Sequence, residues 1–148
     1  MKHHREIIKQ FVFYFLTIFI VGSTILRSQI KPQKNNLLEL VENFESGMRT
    51  GDIDEFAKYL NSELYLSLSN SIESGYYSAN QSYYLIQNYF NISSPMDFNV
   101  DRINTKSKSP YLIGEMNYYN EGIKKKSTVY VSFFEDRSGW KISQISID

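Results

Sequence analysis

The sequence predicts an α+β domain, with helices packed on one face of a curved antiparallel sheet and an N-terminal apolar segment in front. Three observations carry this. Apolar residues recur at helical spacing through 37–50 and again through 78–91, and they alternate at strand spacing from Met96 to the C-terminus. The alternation also slips phase by one residue at two places, as a β-bulge would make it.

The first 28 residues read as a targeting segment rather than as domain. Lys2, Arg5 and Lys9 precede Phe11–Leu26, sixteen residues without a charge. A basic start followed by an apolar run is the pattern of a secretory signal peptide. Cleavage after Ser23 and cleavage after Ser28 both suit the small residues there. The same run, tilted, also serves as an uncleaved anchor, so residues 11–26 are the one part expected to meet a membrane. Either way the domain is expected outside the cytoplasm, periplasmic or tethered to the inner membrane. Residues 29–36 follow as a polar linker in which Pro32 opposes helix.

The domain proper is expected over 37–148. Leu37, Leu40, Val41, Phe44 and Met48 share one helical stripe, which ends at Gly51, the residue best suited to a left-handed cap. Asp52 with Glu55 predicts a capping box opening a second helix, its buried edge formed by Phe56, Tyr59 and Leu60. Leu64, Leu66 and Leu68 alternate as a short strand, and Gly75 breaks the chain. Ser78 with Gln81 predicts another capping box, with Tyr83, Ile86 and Phe90 along the helix it opens.

Four strands complete the chain. Met96, Phe98 and Val100 alternate until the phase slips at Asp101-Arg102. Strands over 111–119, 127–135 and 140–147 follow, joined by Asn120-Glu121-Gly122 and Asp136-Arg137-Ser138-Gly139. In the last strand Trp140 and Ile142 are out of phase with Ile145 and Ile147. Trp140 is expected at the centre of the sheet, buried between the last hairpin and the helices.

Composition excludes several chemistries. From Gln29 onward the chain holds twelve Lys and Arg against fifteen Asp and Glu, a mildly acidic balance that argues against nucleic acid as a partner. Lys124–Lys126 form the one basic cluster and read as a solvated strand start. The histidines are His3 and His4, both ahead of the apolar run, and there is no Cys. The domain therefore lacks imidazole triads, thiol nucleophiles and ordinary zinc sites. No metal or cofactor is implied, and no catalytic residue is assigned.

The order Phe44…Gly51-Asp52, Leu64–Leu68, Tyr77-Ser78-Ala79-Asn80-Gln81, Tyr111-Leu112-Ile113-Gly114 and Gly139-Trp140-Lys141-Ile142 resembles the domain-of-unknown-function family 4783 of exported bacterial proteins. That family lies within the nuclear transport factor 2-like superfamily. The resemblance implies a conical, cystatin-like fold that often encloses a pocket. It implies no activity, since the superfamily includes isomerases, dehydratases, binding modules and dimerisation domains.

The candidates that remain are carboxylates and tyrosines. Tyr76, Tyr83, Asp101, Glu115 and Trp140 are the pocket candidates. Inside a pocket, Glu115 or Asp101 would supply the acid–base group of a small cofactor-free enzyme. On the surface, either would be an ordinary solvated charge. Tyrosine is the conspicuous residue type, with adjacent pairs at 76–77, 83–84 and 118–119. Its apolar body and polar tip suit binding surfaces. Neither face of the strand over 127–135 is polar, since Val129, Val131 and Phe133 oppose Tyr130 and Phe134. Tyr130 and Phe134 are accordingly the candidates for the centre of a homodimer. The leading expectation is a non-catalytic module binding a small ligand or an envelope protein, with the enzyme and a structural dimerisation domain as alternatives.

Overall fold

In the computed structural model, residues 36–69 and 74–148 are described, all within one compact unit. The apolar segment, its cleavage or anchoring, and nearly all of the linker lie outside the described residues. Among the described residues no helix is long and apolar enough to cross a membrane.

Helix α1 spans Leu37–Thr50. Its start is fixed by Asn36, whose side chain accepts the Glu39 N–H at 2.7 Å. It ends at Gly51, where φ of 71° lets the N–H reach the Gly47 carbonyl at 2.8 Å. Leu37, Leu40, Val41, Phe44 and Met48 are all buried, as the stripe requires. The next segment departs from expectation. Two 3-10 turns, Ile53–Glu55 and Ala57–Tyr59, replace the second helix. Asp52 caps the Asp54 N–H, so no capping box with Glu55 forms. The physical reason is length. Leu60 is already committed to a strand, which leaves too few residues to nucleate an α-helix. Phe56, Tyr59 and Leu60 are buried nonetheless.

Strand β1 (Leu60–Leu68) is followed by β2 (Gly75–Ser78), which pairs antiparallel with it. Gly75 thus opens a strand where the sequence read only a break. Helix α2 (Ala79–Ser93) carries the expected reciprocal Ser78–Gln81 capping box. Then come β3 (Pro95–Asn104), β4 (Tyr111–Asn120), β5 (Ile123–Asp136) and β6 (Gly139–Ile147). The six strands lie in the order β2-β1-β6-β5-β4-β3. All neighbours are antiparallel except β1 and β6, so the sheet is mixed. A parallel β1–β6 pair closes the sheet between segments far apart in the chain. No local pattern encodes it.

Both phase slips are bulges. On β3 the register passes from Val100↔Gly114 to Arg102↔Ile113, leaving Asp101 as the extra residue. On β6 it passes from Gln144↔Ser132 to Ile142↔Phe133, leaving Ser143 extra. A further shift lies at Met96, which is why that side chain is exposed instead of continuing the Phe98 stripe. Bulges sharpen the twist and bend of a sheet. The β4–β5 turn has Glu121 and Gly122 both at positive φ, the type I′ geometry that matches strand twist.

α1 packs on β3 and β6, and α2 on β1, β2 and β4. Between them and the sheet lies one core, in which Phe44 meets Phe56 and Phe98 at ring separations of 5.1 and 6.1 Å. Gly114 belongs there because a Cβ would sit 2.7 Å from the Asn99 carbonyl oxygen and 2.6 Å from the Phe98 ring.

Candidate functional site on the outer sheet face

The side of the sheet that faces the helices is filled. Leu112, Met116, Val129, Val131, Phe133, Ile142 and Ile145 all point into the core and are buried. The opposite, outer side alternates with them. There, Tyr76, Tyr65, Gln144, Ser132, Tyr111 and Asn104 stand in register as one row across all six strands. Most of these side chains are only half-buried. On the next positions of β5, Tyr130 and Phe134 are half-buried as well, with Tyr130 stacked on Tyr111 at 6.0 Å.

An open groove of about 700 Å³ lies on this outer side, lined by Asn61, Glu63, Tyr65, Tyr76, Ser132, Ser143 and Gln144. Its origin is a mismatch between β1 and β6. These strands pair at Leu60↔Ile142 and again at Tyr65↔Gln144, so Asn61–Leu64 of β1 stand against Ser143 alone. The strands part over that stretch. The bulge at Ser143 brings two consecutive side chains, Ser143 and Gln144, to the groove. Ser143 donates to the Ser132 carbonyl at 3.2 Å, and the two serine hydroxyls meet at 2.9 Å. Gln144 donates to Ser146 at 3.1 Å, and Asn61 donates to the Glu63 carbonyl at 2.6 Å. At the rim Tyr76 is 71 % exposed, its ring 5.4 Å from Tyr65 and steeply inclined to it at 71°.

Of the five pocket candidates, Tyr76 alone lines this groove. Glu115, on the outer side of β4, is paired with Lys126 at 2.6 Å. β4 stands four strands from β2, roughly 19 Å at ordinary strand spacing. Asp101 occupies the exposed bulge of β3, one strand further. Tyr83, near the start of α2, donates to Asp54 at 2.8 Å, and that bond raises its pKa above the ordinary tyrosine value. Trp140 is on the helix-facing side as expected, but at the hairpin end of β6 opposite Glu135, half-buried rather than central. The sheet order, which inserts β6 and β5 between β1 and β4, keeps the candidates on β2 and β4 apart.

The sequence reading missed Asn61, Glu63, Tyr65, Ser132, Ser143 and Gln144. Two signals pointed to them. The Leu64-Leu66-Leu68 alternation turns Tyr65 outward, and the phase slip in β6 marks Ser143-Gln144 as the place where two side chains share a side. Inside the core, the Tyr89 hydroxyl is buried and makes no hydrogen bond of good geometry. Burial pushes its pKa up, partly offset by the Ser93, Ser69 and Ser127 hydroxyls. Among the described residues no three His, Cys, Asp or Glu side chains group to hold a metal ion.

A bulged, curved sheet with its helices on one side defines the class: a nuclear transport factor 2-like fold. A nuclear transport factor 2-like protein of unknown function from Shewanella oneidensis superposes with a TM-score of 0.55 at 13 % identity, covering 75 % of this chain and 94 % of that one. The family model described as "Domain of unknown function (DUF4783)" matches residues 41–148, and the chain belongs to that family. A family member from Bacteroides uniformis superposes with a TM-score of 0.65 at 22 % identity, over 72 % of this chain and 94 % of its own. Another from Bacteroides ovatus gives 0.63 at 20 % identity, over 72 % and 91 %. No curated protein matches the chain.

Proposed function

We propose that this protein is a non-catalytic binding or interaction module of the cell envelope, working through the outer face of its sheet. The observation that carries this reading is the contrast between the two sides of that sheet. The concave side is occupied by the protein's own core, whereas the outer side presents half-buried tyrosines and an open groove. An uncovered surface of this kind is the mark of an interaction site. The binding reading is supported by where the two acid–base candidates lie, both away from the groove, Asp101 in solvent and Glu115 against Lys126. Export rests on the basic start and apolar run of residues 1–28. Mass spectrometry of the protein from its host should find a first residue near 24 or 29, or an intact chain confined to membranes.

A second reading is supported by Tyr130 and Phe134, with Tyr111 stacked on Tyr130. Here the face is closed by a second copy across a two-fold axis, the commonest closed symmetry. One experiment tests the whole reading. A photo-crosslinking residue at Tyr130, in the chain made in its native host, should form adducts. The same residue at Tyr84, 60 % exposed on α2, should form none. An adduct of twice the chain mass identifies the homodimer, and any other identifies a different envelope component. No adduct at Tyr130 would overturn the outer-face assignment.

A further inference from the structure

Resting on the reading that the outer face is the working surface, we propose that the groove between β1 and β6 is a carbohydrate site, built for a segment of a neutral polysaccharide. The argument starts from what the lining contains. Tyr65 and Tyr76 supply the only rings among the seven lining side chains, and none of the seven is Val, Leu, Ile or Met. That composition does not suit an acyl chain or an apolar peptide, whose burial needs apolar area. The groove has one carboxylate, Glu63, and no Lys, Arg or His, so phosphates and other anions are disfavoured.

What remains suits a sugar. A pyranose ring has a C–H face and a rim of hydroxyls, each both donor and acceptor. The exposed face of Tyr76, set at 71° to Tyr65, forms an aromatic corner against which such a C–H face packs. Asn61, Ser132, Ser143 and Gln144 provide amides and hydroxyls, groups that donate and accept alike. Several are already oriented by the protein. Asn61 and Gln144 spend a donor on Glu63 and Ser146, which holds each amide in place and leaves its carbonyl oxygen to accept. The Ser132–Ser143 pair is locked by its bond to the Ser132 carbonyl. Sites pre-ordered in this way lose less entropy on binding. The volume, about 700 Å³, is within the range of roughly 300–1,000 Å³ usual for ligand sites. The groove is open to solvent, so an internal stretch of a polymer fits across it without a chain end having to enter.

The test is isothermal titration calorimetry of the full chain with maltotetraose, cellotetraose and tetra-N-acetylchitotetraose. At least one should bind with a dissociation constant of about 1 mM or tighter. Tyr76→Ala and Gln144→Ala should each weaken it about tenfold or more, the loss expected when an anchoring contact is truncated. Tyr84→Ala, exposed on α2, should leave it unchanged. Circular dichroism of each variant checks the fold, and the exposure of Tyr76 makes its removal harmless to the core. Binding by none of the three, or binding indifferent to Tyr76 and Gln144, would overturn the site. If none binds while Tyr130 still crosslinks, the carbohydrate proposal falls and the outer-face reading stands. If both fail, both fall.

Discussion

Along β4 and β5 the positions facing the helices include Leu112, Gly114, Met116, Val129, Val131 and Phe133, all buried. Those facing away on the same strands include Tyr111, Ile113, Glu115, Tyr130, Ser132 and Phe134, all half-buried, with Tyr119 and Thr128 exposed beyond them. Backbone, twist and register are shared, so the difference belongs to the side chains alone. The inner set is chosen for close packing, where every methylene counts. The outer set mixes aromatic bodies with hydroxyl and carboxylate groups, which tolerate water. The comparison teaches that close packing is confined to one side of the sheet, while the other is left half-open to solvent. Substitutions should separate accordingly.

The largest effect is expected inside. Phe44→Ala removes a fully buried ring that contacts Phe56 and Phe98, and should cost about 3–5 kcal/mol in urea unfolding. Near-wild-type stability would break the assignment of stability to the inner side. Trp140→Ala sharpens the comparison, because Trp140 faces inward at the end of the sheet and is half-buried. Its loss should cost about 2 kcal/mol, roughly half the penalty for a fully buried ring. A cost equal to that of Phe44→Ala would mean that the hairpin end is as tightly packed as the centre.

On the outer side, Tyr130→Glu with Phe134→Glu should change unfolding stability by no more than about 1 kcal/mol for the pair. If the homodimer forms, sedimentation should show the same variant as a monomer and the wild type as a dimer. A large loss of stability in the isolated variant would show that the outer face carries fold energy after all.

The smallest effect concerns the β5–β6 turn. Asp136 accepts from the Ser138 hydroxyl at 2.7 Å, the Ser138 N–H at 2.6 Å and the Gly139 N–H at 3.1 Å. The Ser138 side-chain bond leads in lowering its pKa below 3.8, with the backbone bonds and Lys141 adding to it. A depressed folded pKa adds stability that is present above the unfolded value and is lost as pH falls through the folded one. The wild type should therefore lose slightly more melting temperature than Asp136→Asn as pH drops from about 5 to about 3. Full exposure of the group keeps this small, and identical acid limbs would remove the turn from the account.

Much of the fold was written locally. The α1 stripe, its end at Gly51 and the Ser78–Gln81 box depend on residues three to five apart, and so do the slips at Asp101 and in β6. Such features are properties of short segments, and a single sequence displays them. The misreadings fall where the tertiary structure overrides the segment. Asp52 and Glu55 looked like a capping box, but the pull of Leu60 into β1 left only 3-10 turns. Trp140, expected at the centre of the sheet, is instead positioned by the hairpin in which it pairs with Glu135.

The sequence by itself determined the kinds of most elements, though not the 3-10 turns or β2, together with the two bulges and the acidic, histidine-free chemistry of the domain. Only the tertiary structure decided that β1 runs parallel to β6, that these strands part over Asn61–Leu64, and that the open surface is the outer one. The physical reason is separation along the chain. The groove is assembled from residues 61, 63, 65, 76, 132, 143 and 144, whose meeting depends on strand order and on a mismatch in register. Propensity and periodicity act over a few residues and carry no information about which distant strand will lie alongside.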